Sequence, residues 1–366
     1  MEEFHFSIKG QGVPVTLSSL GNKFVKDYWY NNNYPGYQLE SAPDYLIGEA
    51  STLQTPLGLS KVGELGLKLS LYISNYKGGR NESFMYGVDL QQIWFDYDLI
   101  SAYTTVLSNA GHPDYSQGLI LTPDELKSFT PYDLIYSYTI IKCSFKFPTR
   151  VKYPSIPVYV DESSTVYPTE GRGAILTGAE YYLAKMQGCR FQFEEIYTIP
   201  YYHRDNLKSN AIYPFKDIIN EIQSKRREHC KGTISNLMYK EIGNSIYGSV
   251  VRGMGNKRKF DNKSGQTIRM KAHYLTNPLI ASWITGYIRS IIGEQLHCIQ
   301  LLRGTVVSVT TDGYITNISD LETKMLNDLS CKDNNYLLKT FKNLRYELSN
   351  NDTALELKQT SDGIIS

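Results

Sequence analysis

The segment Lys240-Glu241-Ile242-Gly243-Asn244-Ser245-Ile246-Tyr247-Gly248 constrains this chain more than any other. Helical spacing places Asn236, Lys240, Asn244 and Tyr247 at i, i+4, i+8 and i+11, on one face. Ile234, Met238, Ile242 and Ile246 repeat that spacing on the opposite side, which predicts a helix anchored in a core there. The exposed stripe then carries a phosphate partner, a polar contact and an aromatic platform in line. An ordinary amphipathic helix has the same pattern, so its meaning depends on where the carboxylates fall.

At 366 residues the chain is long enough for a large core and two or three domains. Its net charge of +1 argues against a simple basic coat for nucleic acid. The thirty tyrosines accompany abundant Asn, Ile, Lys and Ser, a bias that an AT-rich coding sequence also produces. Five cysteines without a CxxC pair and six scattered histidines fit a reduced protein better than a disulfide scaffold or a zinc site. No apolar run is long enough to span a membrane, and the start MEEFHFSIKG lacks the features of a signal peptide. A soluble intracellular protein is expected, cytoplasmic or mitochondrial according to host, with no membrane partner.

Residues 1–60 are rich in Gly, Pro, Ser and Asn and predict irregular structure with short strands at Phe4–Ile8 and Val13–Leu17. Residues 61–75 read as helical and lead to the turn Tyr76-Lys77-Gly78-Gly79-Arg80. A β-prone run follows over Ile93–Leu99, then a helix from Ser101 to Ala110 that Gly111 stops. Residues 112–205 hold several prolines and short β-prone runs (Ile135–Phe147, Ile156–Val160, Phe191–Ile199), which predicts a β-rich insertion. A helix is expected over Phe215–Cys230, before the opening one. Residues 252–271 then carry seven cations against the single acid Asp261, a local charge of +6 in a Gly/Asn/Ser-rich loop. Asn277-Pro278 caps and starts a long helix that ends near Gly304. A hairpin follows, Thr305–Val309 and Tyr314–Ile318, turning at Thr310-Thr311-Asp312-Gly313. The tail after residue 320 is helical or mixed.

Two aspartates fall where the backbone exposes a carboxylate: Asp98 at a strand end and Asp312 in a tight turn. Each alone is an ordinary turn residue. Held on adjacent strands, two such acids suit a pair of Mg²⁺ ions, which activate a 3′-hydroxyl and stabilise leaving pyrophosphate.

These residues resemble the polymerase motifs of family B DNA polymerases. Asp98-Leu99-Ile100-Ser101-Ala102-Tyr103 looks like the first motif. Lys240 to Gly248 matches Lys-x-x-x-Asn-Ser-x-Tyr-Gly at every defining position, and Thr310-Thr311-Asp312-Gly313 resembles the third motif, Asp-Thr-Asp-Ser. Tyr76-Lys77-Gly78-Gly79 resembles the Tyr-x-Gly-Gly element of protein-primed members, which contacts template. The likeness covers roughly residues 70–318. Thr310 stands where the family has its first acid, and Thr104 where it has proline. Leu357-Lys358-Gln359-Thr360 resembles only faintly the Lys-x-Tyr of the thumb, so Lys358 is not assigned to the site.

The resemblance implies an α+β, right-hand polymerase core: an antiparallel-sheet palm, helical fingers and a β-rich insertion between the first and second motifs. The expected divisions are an N-terminal segment (1–90), palm (91–111), insertion resembling the terminal-protein-binding region (112–205), fingers (206–250), basic loop (251–275), palm (276–330) and palm end with partial thumb (331–366). Asp98, Asp312 and the Leu99 carbonyl would hold two Mg²⁺ ions. Lys240, aided by Arg227 or Lys231, would hold the triphosphate. Tyr103 would lie beneath the sugar and exclude a 2′-hydroxyl, while Asn244 and Tyr247 would touch the incoming nucleotide. Tyr76, Gly78, Gly79, Gly248, Lys257, Arg258 and Lys259 would contact DNA. Primer-template DNA, deoxynucleoside triphosphates and a terminal protein are the partners implied.

The activity implied is template-directed deoxynucleotidyl transfer replicating a linear plasmid, phage or mobile element. About 70 residues before the Tyr-x-Gly-Gly element leave no room for an exonuclease domain. Together with Thr310 this keeps a second reading open, a catalytically inactive or partial polymerase that binds DNA or a terminal protein. A reverse-transcriptase or RNA-polymerase palm accounts for the acids but not for Asn-Ser-x-Tyr-Gly.

Overall fold

The computed structural model describes residues 16–32, 52–55, 58–61, 71–114, 117–161, 164–201, 211–254, 258–270 and 275–365. The strand expected at Phe4–Ile8 lies outside them, as does most of Val13–Leu17. Leu17 itself begins a helix, α1 (Leu17–Asn31), where irregular structure was expected. Leu17, Leu20, Phe24 and Tyr28 share one stripe of it and pack toward the core beside buried Val25 and Trp29. Composition read over sixty residues hid this fifteen-residue periodicity. After a short hairpin, β1 (Thr52–Thr55) and β2 (Gly58–Lys61), residues 71–75 are helical, the described end of the helix expected at 61–75.

The central layer is a five-stranded antiparallel sheet built from β3 (Arg80–Ser83), β4 (Gly87–Leu99), a hairpin of β13 (Val306–Thr311) and β14 (Gly313–Thr316), and β15 (Leu355–Ile365). Their spatial order is β15-β4-β14-β13-β3. β15 is an edge strand that the mixed reading of the tail did not foresee. The register sets Gly313 opposite Asp98 and Glu356 opposite Asp98 on the other side. The two expected acids therefore meet at one end of the sheet.

At that end β4 turns into α2 (Ala102–Ser108). α2 stops at the Asn109 cap, two residues before Gly111. Gly111 is needed for another reason, since a Cβ there would collide with the Tyr201 ring.

The region between Asp98 and the fingers-like helices is the expected β-rich insertion. Its sheet has the order β5 (Leu119–Ile120), β10 (Arg190–Ile199), β6 (Tyr138–Lys146), β9 (Glu170–Thr177), with a separate hairpin of β7 (Val158–Tyr159) and β8 (Thr165–Val166). It also holds three helices: α3 (Pro123–Ser128), α4 (Pro131–Ile135) and α5 (Gly178–Met186). Each starts with a Thr N-cap in a capping box (Thr122, Thr130, Thr177). Ile135 is thus helical, not the start of a strand.

Two helices, α6 (Lys216–Arg227) and α7 (Ile234–Val250), form an antiparallel pair. α1 packs on α7 through Gly21, where a Cβ would come within 3.1 Å of the Ile242 carbonyl oxygen. The segment expected as a basic loop is a β-hairpin, β11 (Arg258–Asp261) with β12 (Gln266–Arg269). Arg-Lys-Phe-Asp holds a single apolar residue, so no alternation marked it as a strand. Residues 255–257 and 271–274, which include Lys257, lie outside the described residues.

The spine is α8 (Pro278–Leu301), capped by Asn277, whose side-chain oxygen accepts from the Leu279 and Ile280 amides at 3.1 Å. The sequence predicted one apolar face, but everything from Pro278 to Ile299 is buried. Gly286 and Gly293 allow this: a Cβ at either would press into Thr177 or Leu183 of the insertion. α9 (Leu321–Asn327) and α10 (Tyr336–Ser349) complete the chain before β15.

Candidate active site

Asp98 and Asp312 are brought together by backbone bonding. The Leu99 amide donates to the Asp312 carbonyl oxygen at 2.8 Å, tying the end of β4 to the β13–β14 turn. The fit is tight enough that a Cβ on Gly313 would strike the Asp98 carboxylate. That explains a glycine where the third motif has serine.

Both turns are strained. Ser101, which leads from β4 into α2, has φ 51° and Thr311 has φ 60°. The Asp312 amide donates to the Thr310 carbonyl oxygen at 2.7 Å across Thr311, a γ-type turn with a β-branched residue at its centre. Such backbone costs about 1–3 kcal/mol per residue and persists only where surroundings enforce it. Here Asn81 enforces it, its side-chain oxygen accepting from the Thr311 amide at 3.1 Å and the Thr311 hydroxyl at 3.4 Å. Gly79 presses on the same turn, since a Cβ there would lie 2.7 Å from the Thr311 Cα.

The electrostatics match a cation site. Burial first, then the neighbouring Asp98 charge, pushes the Asp312 carboxyl up to about 6, while Lys358 and Lys240 pull it down. Asp96 lies on the same face of β4 as Asp98, and its carboxyl is also raised, by burial and then by Asp98. Lys358 pairs directly with the Asp98 carboxylate. The faint thumb likeness thus concealed a residue that touches the first acid. Two carboxylates that repel each other, with the Leu99 carbonyl on the same strand end, are hard-oxygen donors suited to Mg²⁺. Among the described residues no cluster of three or more His, Cys, Asp or Glu could hold a metal.

The α7 stripe is partly as expected. Lys240 and Asn244 are exposed, Tyr247 is half-buried, and Gly248 is open. Asn236, however, is buried, and its amide donates to the Arg226 and His229 carbonyls, closing the α6–α7 turn. Ile234 does not anchor the core: it is 79% exposed and shares the outer face with Leu237. At the first turn of a helix whose partner has already ended, nothing packs over it. Ile242 and Ile246 are buried as predicted.

The Tyr103 and Tyr247 rings pack against each other, centroids 4.4 Å apart and planes tilted by 37°. Burial raises both phenols well above the ordinary range, and Tyr247 is also hydrogen-bonded to Tyr76. Three tyrosines from α2, α7 and the strap before β3 therefore form one platform, beside the field of Asp312.

The strap Tyr76–Gly79 is held from beneath by Arg289 of α8. Arg289 donates to the Lys77 and Gly78 carbonyls at 2.6 and 2.8 Å and pairs with Glu180 at 2.7 Å, both ionic side chains being buried. Nothing in the sequence singled out Arg289, an apparent interruption in an apolar helix.

Of the two cations proposed beside Lys240, Lys231 pairs with Glu356, the residue opposite Asp98 in the sheet. Arg227 points elsewhere, toward the Leu348 carbonyl of α10 at 3.5 Å. Arg226, half-buried, instead feels Glu356 and Glu241. One residue of helical rotation separates the two, finer than a Lys-Arg-Arg run can resolve. Arg258 and Lys259 lie on the β11–β12 hairpin with exposed Phe260.

No family model matches the chain. It is similar to the primer-independent DNA polymerase PolB of Escherichia coli, 31% identical over 315 residues, 83% of this chain. It spans about a third of that relative's length, 35%. Among solved structures it is similar to phi29 DNA polymerase with primer-template DNA and incoming nucleotide, with TM-score 0.55 and 16% identity over 85% of this chain and 50% of that one. It is likewise similar to phi29 DNA polymerase with single-stranded DNA, at TM-score 0.55 and 14% identity over 96% of this chain and 53% of that one. The α+β core expected from the motifs is the fold these structures share. The sequence likeness and the shared fold support the resemblance to family B DNA polymerases read from the motifs, over about a third of the relative's length.

Proposed function

We propose that the chain carries DNA-directed DNA polymerase activity, adding deoxynucleotides to a 3′-hydroxyl with release of pyrophosphate. The observation that supports this best is the meeting of Asp98 and Asp312 at one sheet end, beside Lys240 and the Tyr103–Tyr247 platform. Asp98, Asp312 and the Leu99 carbonyl would hold Mg²⁺, as two ions. When bound, Mg²⁺ supplies charge neutralisation at the attacking and leaving oxygens.

The chain's own part is positioning. Lys240, with Arg226 or Lys231 near it, would draw in the triphosphate as point charges. The half-buried Tyr103 ring would underlie the sugar, leaving no room for a 2′-hydroxyl. Asn244 and Tyr247 would meet the nucleotide and the nascent base pair. Tyr76, Gly78, Gly79 and Gly248 would face DNA, and the basic β11–β12 hairpin would track its phosphates. Fixing these groups in advance lowers the barrier without reorganisation at the moment of reaction.

Priming is the finer question. Insertion 112–205 occupies the place where a terminal protein docks in protein-primed members, in a linear plasmid, phage or mobile element. The relative's name favours a second reading, synthesis started without any primer. Incubating the protein with Mg²⁺ and all four deoxynucleotides on primed and on unprimed single-stranded template separates them. Extension of primed template that Asp98→Ala and Asp312→Ala both abolish, with DNA binding intact, supports the metal site. Product on unprimed template favours primer-free initiation. Wild type that shifts DNA but extends nothing would return the reading to an inactive binding module, as Thr310 suggests.

A further inference from the structure

We infer that the insertion's β7–β8 hairpin is a positioning device for the catalytic turn, acting through the Tyr76–Asn81 strap by way of Tyr159 and Tyr167. This rests on the polymerase reading for its kinetic consequences but not for its structural ones.

The strained Thr311 turn does not hold itself. Its neighbours on the outer side are Gly79, Arg80 and Asn81: Gly79 in close contact, Arg80 opposite Thr311 in the sheet register, Asn81 through its side-chain oxygen. β3 is the edge strand of the central sheet, so among the described residues no further strand backs these residues. Tyr76–Gly79, just before it, has no regular secondary structure. A strap of this kind can fix Asp312 only if something fixes the strap.

Besides Arg289 beneath the strap and Tyr247 of α7 at Tyr76, the insertion grips it at both ends. The Tyr159 hydroxyl donates to the Tyr76 carbonyl oxygen at 2.6 Å. The Tyr159 ring also covers the Lys77 ammonium, 5.2 Å from its centroid, and Lys77 donates to the Ile175 carbonyl of β9 at 3.4 Å. At the other end of the strap the Arg80 guanidinium lies 4.0 Å from the centroid of the Tyr167 ring. Arg80 is 1% exposed and pairs only at Nε, with Glu82; its two terminal nitrogens have no acceptor, so the ring face is their main compensation. The two tyrosines bracket the hairpin, one at each end, and hold the strap at residues 76–77 and 80.

The chemistry of the two grips differs, and so do the variants that break them. Tyr159 works through its hydroxyl, whereas the Tyr167 hydroxyl is buried without a partner and only the ring matters. Tyr159→Phe should therefore release the strap while Tyr167→Phe should not, and Tyr167→Leu should release it again. The full chain and these three variants are compared in two measurements. Amide hydrogen exchange over residues 76–83 and 308–313 should speed up in Tyr159→Phe and Tyr167→Leu and match wild type in Tyr167→Phe. With primed DNA, Mg²⁺ and deoxynucleotides, kcat should fall about fivefold in the first two, with KM for nucleotide nearly unchanged, since one hydrogen bond's worth of positioning is lost. Exchange that is unchanged in Tyr159→Phe, or raised equally by Tyr167→Phe and Tyr167→Leu, overturns the inference. A merely structural grip would raise exchange and leave kcat alone, and that too overturns it. If wild type does not extend DNA, the polymerase reading fails, and the exchange pattern alone still decides whether the hairpin holds the turn.

Discussion

Neutralising Glu180 should destabilise the whole molecule, and the size of the effect follows from the buried pair it forms with Arg289. Both side chains are 1% exposed, and one Glu180 oxygen accepts from Arg289 Nε at 2.9 Å and Nη2 at 2.7 Å. Its other oxygen accepts from the Thr177 amide at 2.8 Å and hydroxyl at 3.1 Å, completing the cap of α5. Glu180→Gln keeps the shape but brings an NH₂ group against one of these donor sets and leaves the guanidinium charge to two backbone carbonyls. Removing one member of a buried pair costs about 3–5 kcal/mol. For a chain of 366 residues that corresponds to a fall in Tm of about 5 °C. Differential scanning fluorimetry on wild type, Glu180→Gln, Arg289→Met and the double variant Glu180→Gln/Arg289→Met gives a thermodynamic cycle. The double variant should be less damaged than the sum of the single changes by about 3 kcal/mol or more, because no unpaired charge remains inside. It should not regain wild-type stability, since the Lys77 and Gly78 carbonyls lose their donor. A Tm drop under 1 °C in Glu180→Gln would refute the reasoning, as would strict additivity.

His112 and Glu294 should bend the pH dependence of stability in opposite senses. Burial lowers His112 to about 4, so its contribution is complete above its ordinary pKa near 6.5 and about 3 kcal/mol is lost as pH falls toward 4. Burial raises Glu294 to about 8, so its penalty grows as pH rises from about 4.5 to 8. Urea midpoints of His112→Gln and Glu294→Gln across pH 4–8 should each remove one slope; parallel curves would contradict both. Gly313→Ala should cut primer extension more than tenfold with little change in Tm, because the added methyl displaces the Asp98 carboxylate; full activity would show that Asp98 tolerates the shift. Replacing Arg258, Lys259 and Lys263 by Gln should flatten the plot of log affinity for duplex DNA against log salt by about 2–3, and an unchanged slope would remove the hairpin from the DNA path. Tyr103→Val should let ribonucleotides compete with deoxynucleotides in extension assays, and unchanged selectivity would sink the sugar-stacking role.

What the sequence revealed of the site divides along contact range. Asp98, Tyr103, Lys240, Asn244, Tyr247 and Asp312 could be put forward from the string because each owes its position to its own strand end, helix face or turn. Period and turn chemistry are local, so they are legible in a string. Asn236, Ile234 and Arg227 were misplaced because each lies near a helix end, where a neighbour's length, not the repeat, decides what is covered. The +6 segment was read as a loop since its two four-residue strands hold one apolar residue each and show no alternation. Arg289, Glu180, Asn81 and Lys358 went unassigned for a deeper reason. Each acts on a residue far away in the chain: Arg289 on the Lys77 and Gly78 carbonyls, Asn81 on Thr311, Lys358 on Asp98. No spacing rule connects such pairs, yet a signal existed. An arginine inside a fully buried helix must find an anion or leave its charge unpaired, so it predicts a partner. The strained Thr311 carries the same lesson, because a β-branched residue at positive φ implies an external restraint before any contact is seen. The motif residues are those proposed for the chemistry, and these long-range partners hold the turn, the strap and the first acid in place.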